Sequence, residues 1–180
     1  MYRTERLVMR EWHESDIEPF AQMCADPNVM RYFPSAMTRE ECEAFIERST
    51  TKIAERGYGL WVIEVDGRFA GYTGLAVVTF DVSFSPCVEI GWRLASWAWG
   101  KGYATEAATK ALRIGFEEHA ISEIFSFTTE TNTPSESVMK RVGMNRREDL
   151  DFDHPHTPGW WGQPHFVYSI DQASWAEYGG

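Results

Sequence analysis

Two neighbouring stretches decide the fold: Val88-Glu89-Ile90-Gly91-Trp92-Arg93-Leu94 and Trp99-Gly100-Lys101-Gly102-Tyr103-Ala104-Thr105-Glu106-Ala107. The first predicts a strand over residues 87–94, because it is rich in β-branched and aromatic residues. The second carries glycines where this strand passes into a helix. Bare glycines let the backbone approach a ligand, and a helix N-terminus offers unpaired N–H groups to a phosphate. The second stretch is therefore a candidate phosphate cradle, although the pattern alone fits a simple glycine turn equally well.

Other phosphate-binding motifs fit the same residues poorly. A dinucleotide-binding turn needs a third glycine where Thr105 stands, and a P-loop needs Gly-Lys-Ser or Gly-Lys-Thr after four spacers. The sequence has neither. Binding of dinucleotides and of nucleoside triphosphates is therefore disfavoured.

The rest of the chain predicts further strands and helices. The helix after Gly102 has one buried face at i, i+3 and i+4 spacing, made of Ala104, Ala107, Ala108, Ala111, Leu112 and Phe116. Asp66-Gly67 predicts a two-residue hairpin turn within 58–77, and Thr38 with Glu41 predicts a capping box. Thr133 with Glu136 predicts a second one. Strands are expected over 3–12, 123–129, 147–152 and 166–170, and helices over 15–25 and 38–56.

Length and composition describe one globular domain over residues 1–180. The chain has 17 basic and 27 acidic residues, a formal net charge of −10, and no basic stripe that would follow a phosphate backbone. Nucleic acid is thus excluded as a partner. The acidic surface serves solubility or favours a cationic partner. Three widely spaced cysteines and the lack of a long apolar run predict a cytoplasmic protein with no membrane contact.

These stretches, with Asn132-Thr133-Pro134-Ser135 and Val142-Gly143-Met144, resemble the GNAT superfamily of N-acetyltransferases, and within it the RimJ/RimL branch of ribosomal-protein N-terminal acetyltransferases. The resemblance runs from Thr4-Glu5-Arg6-Leu7 to Asp151-Phe152-Asp153-His154-Pro155. It implies a single-domain, mixed α/β fold. Its mostly antiparallel sheet would have about seven strands, splayed between the fourth and fifth, with about four flanking helices.

The resemblance also implies acetyl-CoA as co-substrate, with its pantetheine arm in the gap of the sheet like an added strand. By position, the pantetheine would contact Trp92, Arg93 and Leu94, and also Asn132 unless that residue only stabilises its turn. The pyrophosphate would lie on Trp99, Gly100, Lys101, Gly102, Tyr103, Ala104 and Thr105. The family's usual Gln or Arg at the head of this loop is Trp97 here.

Acetyl transfer to a primary amine needs a base for the ammonium proton and an acid for the departing thiolate. The resemblance assigns the base to Glu89, acting directly or through water, and the alternative is a Glu on the solvent face of a strand. It assigns the acid to Ser135, because Met139 stands where many members have a tyrosine. The alternative for Ser135 is a hydroxyl bonded to the preceding turn.

The acceptor pocket is the least determined part of the site. Tyr32 and Phe33 are expected to form one wall, and Trp160 and Trp161 either line the pocket or pack their own loop. His154, His156 and His165 lie near this loop without a metal-ligand spacing, so no metal is predicted. The acceptor is a protein N-terminus or a small amine, and the protein is a monomer or a homodimer. The alternative to an enzyme is a non-catalytic, acyl-CoA-binding regulatory module.

Overall fold

A computed structural model describes residues 1–178 of the chain. The strands are β1 (Tyr2–Arg3), β2 (Val8–Arg10), β3 (Leu60–Val65), β4 (Arg68–Val78), β5 (Cys87–Leu94), β6 (Glu123–Thr129), β7 (Asn145–Arg146), β8 (Phe152–Asp153) and β9 (Pro164–Asp171). The helices are α1 (Ile17–Ala25), α2 (Pro27–Met30), α3 (Arg39–Arg56), α4 (Tyr103–Arg113), α5 (Thr133–Arg141) and α6 (Gln172–Tyr178). None of these helices combines the length and the apolarity needed to cross a membrane.

The strands form one mixed sheet in the order β1-β2-β3-β4-β5-β6-β9-β7, with β8 also paired to β9. Every neighbouring pair is antiparallel except β5 and β6, which run parallel. The predicted mixed α/β architecture with a mostly antiparallel sheet is therefore confirmed. The strand count is nine in the described residues, above the predicted seven, because β1, β7 and β8 are only two residues long.

A hydrophobic core lies on each face of the sheet. One face packs against α4, whose small Ala107, Ala108 and Ala111 are fully buried and permit close approach to the strands. The other face packs against α1 and α3 around Trp12, Phe20, Cys42 and Tyr72. The side chains of each central strand therefore alternate between two buried environments.

Local signals placed α3 and the central hairpin correctly. Thr38 and Glu41 form the predicted capping box, and Gly57 ends α3 in the left-handed conformation at φ 77°. Asp66 and Gly67 join β3 to β4 with φ values of 49° and 75°, as a two-residue hairpin turn requires.

Three local predictions were wrong. Residues 3–12 are not one strand, because the chain turns between Thr4 and Leu7 and pairs β1 with β2. Residues 147–152 are not a strand either: a 3₁₀ turn over Glu148–Leu150 separates β7 from β8. The N-cap of α5 is Asn132 and not Thr133, since the Asn132 side chain accepts from the Ser135 backbone N–H. With the four-residue α2 and the C-terminal α6, the described helices number six, compared with the predicted number of about four.

The parallel pair β5 and β6 creates a gap in the sheet. Its register contains only Val88 opposite Ile124 and Glu89 opposite Phe125, although both strands continue for several residues. Beyond this point the Ser126 hydroxyl donates to the Ile90 carbonyl at 2.9 Å, and then the strands separate. The splay predicted between the fourth and fifth strands is thus present. These strands are β5 and β6 in the structure, because the first predicted strand is divided into β1 and β2. Helices α4 and α5 follow these two strands, so both helix N-termini lie at the open end of the gap.

Candidate active site

The edge of β5 that borders the gap carries free backbone groups. The Ile90 carbonyl faces β6, and alternate residues of an antiparallel strand direct their N–H and C=O groups to the same side. The backbone N–H and C=O of Trp92 therefore face the gap, beyond the last pair with β6. The Leu94 carbonyl is already occupied, because it accepts from the Trp99 indole N–H at 2.8 Å. An extended ligand placed in the gap could pair with Trp92 as an added strand does.

The glycine segment before α4 has the conformation of a phosphate cradle. Gly100 and Gly102 adopt φ values of 72° and 80°, which favour glycine. Gly102 is the N-cap of α4 and cannot cap it with a side chain, so the N–H groups of Tyr103, Ala104 and Thr105 keep their capacity to bind an anion. A Cβ on Gly100 would meet no atom within 4 Å, so this turn is open. The residues present therefore fit a pyrophosphate.

The N-terminal hairpin supports the cradle, a contact that sequence analysis did not assign. The Arg6 Nη1 donates to the Lys101 carbonyl at 2.8 Å, and its guanidinium lies 5.0 Å from the Tyr103 ring. The Thr4 hydroxyl donates to Glu106 in the first turn of α4 at 2.5 Å. In the sequence, Thr4-Glu5-Arg6-Leu7 was noted only as part of the family resemblance. Nothing in that stretch indicated that Arg6 contacts Lys101 or that Thr4 contacts Glu106.

The Trp97 ring, at the head of the cradle, lies close to two cationic side chains, those of Arg68 and Lys101. The Arg68 guanidinium stacks at 4.0 Å from the Trp97 ring, and the Lys101 ammonium lies 5.6 Å from it. Aromatic faces attract cations, so Trp97 keeps positive charge beside the cradle although it carries none itself. Arg68 begins β4 and is 29 residues from Trp97 in the sequence, so sequence spacing did not reveal this contact.

Glu89 lies in the last paired position before β5 and β6 separate. Its half-buried side chain forms no ion pair within residues 1–178, and burial raises the pKa of Glu89 to about 8. Next to it, Gly91 lacks a side chain, and the nearest atom to a Cβ built there is Glu89 Oε1 at 4.0 Å. Glu89 is therefore not an ordinary solvent-facing strand residue. Its raised pKa means that this carboxyl group changes its protonation state near pH 8 instead of near pH 4.5.

The Arg93 side chain lies on the opposite face of β5 from Trp92 and Leu94, the residues with which it was predicted to contact the pantetheine. Val88, Trp92 and Leu94 pack toward α4, whereas the Arg93 side chain extends toward α1 and α3, on the Glu89 face of β5. Its guanidinium lies 3.9 Å from the Phe33 ring. The structure thus brings Arg93 together with a residue predicted for the acceptor pocket.

Ser135 lies in the first turn of α5, half-buried beside the buried Val138 and Met139. The Asn132 side chain accepts from the Ser135 N–H at 3.3 Å and donates to the Thr128 hydroxyl at 2.9 Å. Within the described residues the Ser135 hydroxyl makes no bond to the preceding turn, unlike the Ser137 hydroxyl, which donates to the Thr133 carbonyl at 2.9 Å. Its hydroxyl is therefore available to a ligand.

The aromatic residues predicted for the acceptor site form two separate groups. Phe33 packs near Arg93, and the Arg31 guanidinium covers Tyr32 at 4.5 Å. Trp160 and Trp161 pack on each other with ring centroids 5.1 Å apart, and Trp161 is 59% exposed. No aromatic contact among residues 1–178 joins these groups.

The three clustered histidines pack as rings and do not form a metal-ligand set. The His154 ring lies 5.0 Å from that of His165 and 5.7 Å from that of His156, among Phe80 and Phe152. Burial and the neighbouring imidazoles lower the pKa of His154 to about 4. In the described part of the chain, no three His, Cys, Asp or Glu side chains are arranged so that they could hold a metal ion.

Comparison with known proteins agrees with this geometry. The acetyltransferase (GNAT) domain matches residues 6–145. The uncharacterised N-acetyltransferase YnaD of Bacillus subtilis (strain 168) is 30% identical over 173 residues, 96% of this chain and 97% of YnaD. A GNAT-family acetyltransferase structure from Bacillus anthracis superposes with a TM-score of 0.77 at 28% identity, covering 95% of this chain and 98% of the other.

The fold also resembles that of RimL, a ribosomal L7/L12 alpha-N-protein acetyltransferase solved in complex with coenzyme A. The TM-score is 0.75 at 15% identity, and the match covers 95% of this chain and 97% of RimL. The predicted resemblance to the RimJ/RimL branch is confirmed at the level of the fold. The chain belongs to the GNAT family of acetyltransferases and is an enzyme of the N-acetyltransferase class.

Proposed function

We propose that residues 1–180 act as one domain that transfers the acetyl group of acetyl-CoA to a primary amine by direct attack on the thioester. The observation that carries this proposal is the environment of Glu89. Its carboxyl group is unpaired within the described residues, lies where β5 and β6 separate, and has a pKa raised by burial to about 8. An N-terminal amine has a pKa of about 7.7–8.0, so proton transfer between the two groups is nearly balanced.

The cofactor-binding part of the proposal rests on the backbone. The uncapped N–H groups at the start of α4 would hold the pyrophosphate, and Gly100 and Gly102 let it approach. The free N–H and C=O of Trp92 would pair with the amides of the pantetheine arm. In this arrangement Asn132 fixes the start of α5 and keeps Ser135 at the open end of the gap.

Glu89 takes the proton of the ammonium group, directly or through water, and leaves a neutral amine. The amine nitrogen forms a bond to the thioester carbonyl carbon and loses one proton to solvent, and the carbon–sulfur bond then breaks. Glu89 afterwards releases to solvent the proton that it took from the ammonium group. Ser135 gives its hydroxyl proton to the departing sulfur and recovers a proton from solvent. The products are an amide and the free thiol, so atoms and charge balance.

The acceptor is a protein N-terminus or a small-molecule amine. The proposal requires only that its amine reach Glu89 from the side of the sheet that packs against α1 and α3. We place the reaction in the cytoplasm, where acetyl-CoA is available. The buried Cys24 and Cys42 are free thiols, which suits a reducing compartment.

The test is thiol release from acetyl-CoA by the purified protein with a panel of amines, with the acetylated product identified by mass. We expect amine-dependent release in the parent protein, and about 10²-fold less in Glu89→Gln at pH 9. The alternative, a non-catalytic acyl-CoA-binding module, predicts stabilisation by acetyl-CoA without release for any amine. That result would contradict the proposed reaction and leave the cofactor site in place.

A further inference from the structure

The half-buried Arg93 guanidinium lacks the partners that a cation in a protein interior normally has. Its Nη1 contacts two sulfur atoms, Cys24 Sγ at 3.4 Å and Met37 Sδ at 3.3 Å. Its Nε is buried and has no hydrogen-bond partner among residues 1–178. Sulfur is a weak acceptor, and a buried N–H without a partner is unfavourable. The side chain therefore retains an unused capacity to donate hydrogen bonds.

The surroundings of Arg93 are neutral. Its guanidinium lies 3.9 Å from the Phe33 ring and 5.6 Å from the Tyr72 ring, so aromatic faces cover part of it. The ion pairs of the described residues occupy other arginines and include neither Arg93 nor Glu89. A guanidinium presents a planar fork that suits a carboxylate, and a site of low polarity strengthens such a pair. An anionic group is the ligand that this arrangement fits best.

Arg93 and Glu89 are arranged for one ligand. They lie on the same face of β5, four residues and so roughly 13 Å apart along the strand. Between them Gly91 has no side chain, and the residue opposite it on β4, Gly74, has none either. Because the Glu89 and Arg93 side chains are long, a ligand that contacts both ends can be shorter than the distance between their positions on the strand. A molecule lying along β5 could place an amine at Glu89 and an anion at Arg93.

We propose that Arg93 binds a carboxylate of the acceptor whose amine reaches Glu89. The acceptor is then an amine with a carboxylate several bonds away, from an ω-amino acid or from an acidic residue near the N-terminus of a peptide. Because the net charge of the chain is −10, attraction of an anion depends on this local cation. The inference rests on the proposed function, and its test separates the two.

The test uses acceptors that differ only in charge. One pair is 6-aminohexanoate and 6-aminohexanamide, and the other is a tripeptide amide with Glu or Gln at its second position. We expect the parent enzyme to favour the carboxylate member of at least one pair by about tenfold in kcat/KM. The pair that shows the preference distinguishes the small amino acid from the peptide as the source of the carboxylate.

Arg93→Met should reduce this preference to about one, because kcat/KM should fall about tenfold more for the carboxylate acceptor than for the neutral one. Arg93→Lys should keep part of the preference, because it restores the charge without the fork. Arg48→Met is the matched control: it removes an exposed arginine of α3 and should change neither acceptor. If Arg93→Met slows both acceptors equally, Arg93 is only structural and the inference is wrong.

Binding without turnover gives an independent result. Calorimetry with the same acceptor pairs and saturating coenzyme A should show tighter binding of the carboxylate by the parent, and no such difference in Arg93→Met. Equal binding of both members overturns the inference even if neutral amines are acetylated. A carboxylate preference in binding without any acetylation supports the inference and overturns the proposed reaction.

Discussion

Arg6 binds the Glu106 carboxylate through both its backbone N–H and its guanidinium group. Its backbone N–H donates to Glu106 Oε1 at 2.9 Å, its Nε donates to Oε2 at 2.7 Å, and its Nη2 lies 2.7 Å from Oε2. The same guanidinium also donates to the Lys101 carbonyl. The N-terminal hairpin thus fixes the cradle on one side and the first turn of α4 on the other.

We expect Arg6→Ala to weaken binding of coenzyme A by about two- to tenfold, the equivalent of about one hydrogen bond. The free energy of unfolding should change little, because Arg6 is 45% exposed and exposed ion pairs contribute little to stability. Calorimetric titration with coenzyme A measures the effect. Arg113→Ala, which removes an exposed ion pair at the other end of α4, is the control and should bind as the parent does.

Gly102→Ala should weaken coenzyme A binding by more than about tenfold, because a side chain at the N-cap of α4 distorts the turn and crowds the pyrophosphate. Gly159→Ala is a matched control, since its φ of 76° is close to the 80° of Gly102. Both substitutions should lower the free energy of unfolding by about 1 kcal/mol through left-handed strain. Equal coenzyme A affinity of the two variants would show that the cradle lies elsewhere.

The parts of the fold that sequence predicted are those fixed by short-range chemistry. The Thr38 capping box and the Asp66-Gly67 turn each need only neighbouring residues, and both are present. The strand predicted over residues 147–152 is absent because the Leu150 backbone N–H takes the Arg147 carbonyl, three residues away, as its hydrogen-bond partner and so closes a turn. Alternation of residue types carries no information about such a partner.

The candidate site likewise contains features that could be predicted from the sequence and features that depend on the tertiary structure. Glycines and a helix start are visible in sequence, so the cradle could be proposed from Gly100 and Gly102. The direction of the Arg93 side chain depends on which face of β5 meets α1 and α3, and only the sheet register and helix packing decide that. For the same reason, the stacking of Arg68 on Trp97 was not predictable.

The advantage of the parent enzyme over Glu89→Gln should increase with pH up to about 8 and then level off. Burial raises the pKa of Glu89 to about 8, so below this pH the group is mostly protonated and cannot accept a proton. We expect a ratio of kcat/KM values near 10² above pH 9, falling about tenfold per pH unit below 8. Taking the ratio with one acceptor cancels the titration of the amine. A ratio that does not change with pH would remove Glu89 as the base.

Glu89 should also make stability depend on pH. The carboxyl group holds its proton in the folded state up to about pH 8 and loses it near pH 4.5 when unfolded. Between these values the folded state binds more protons, so its stability falls as pH rises. Glu89→Gln lacks this loss and should exceed the parent by more than about 1 kcal/mol at pH 9, with no such advantage below pH 4.5.

Urea unfolding of the unliganded protein at both pH values measures this difference in stability. Glu47→Gln, at an exposed position on α3, is the control and should differ from the parent equally at both pH values. A Glu89→Gln variant that gains no stability at high pH would contradict the burial of the Glu89 carboxyl group. This measurement requires no acceptor, so it tests Glu89 independently of the reaction.

Ser135→Ala should lower kcat by about tenfold or more with little change in the affinity for coenzyme A or for the acceptor. The Ser135 hydroxyl is needed only when the thiolate departs. The substitution keeps the Asn132 cap, because that hydrogen bond uses the Ser135 backbone N–H. Ser137→Ala is the matched control, two residues along the same helix, where the hydroxyl is occupied by the Thr133 carbonyl.

Single-turnover acetyl transfer separates the two possible roles of Ser135, because it follows bond breaking without product release. If Ser135 is the proton donor, Ser135→Ala slows this step while Ser135→Cys, whose thiol can still donate a proton, retains part of the rate. If Ser135 only positions the cofactor, the loss appears in coenzyme A affinity and the single-turnover rate at saturation matches that of the parent. The second result would assign the proton to water, since no tyrosine replaces Met139 on this helix.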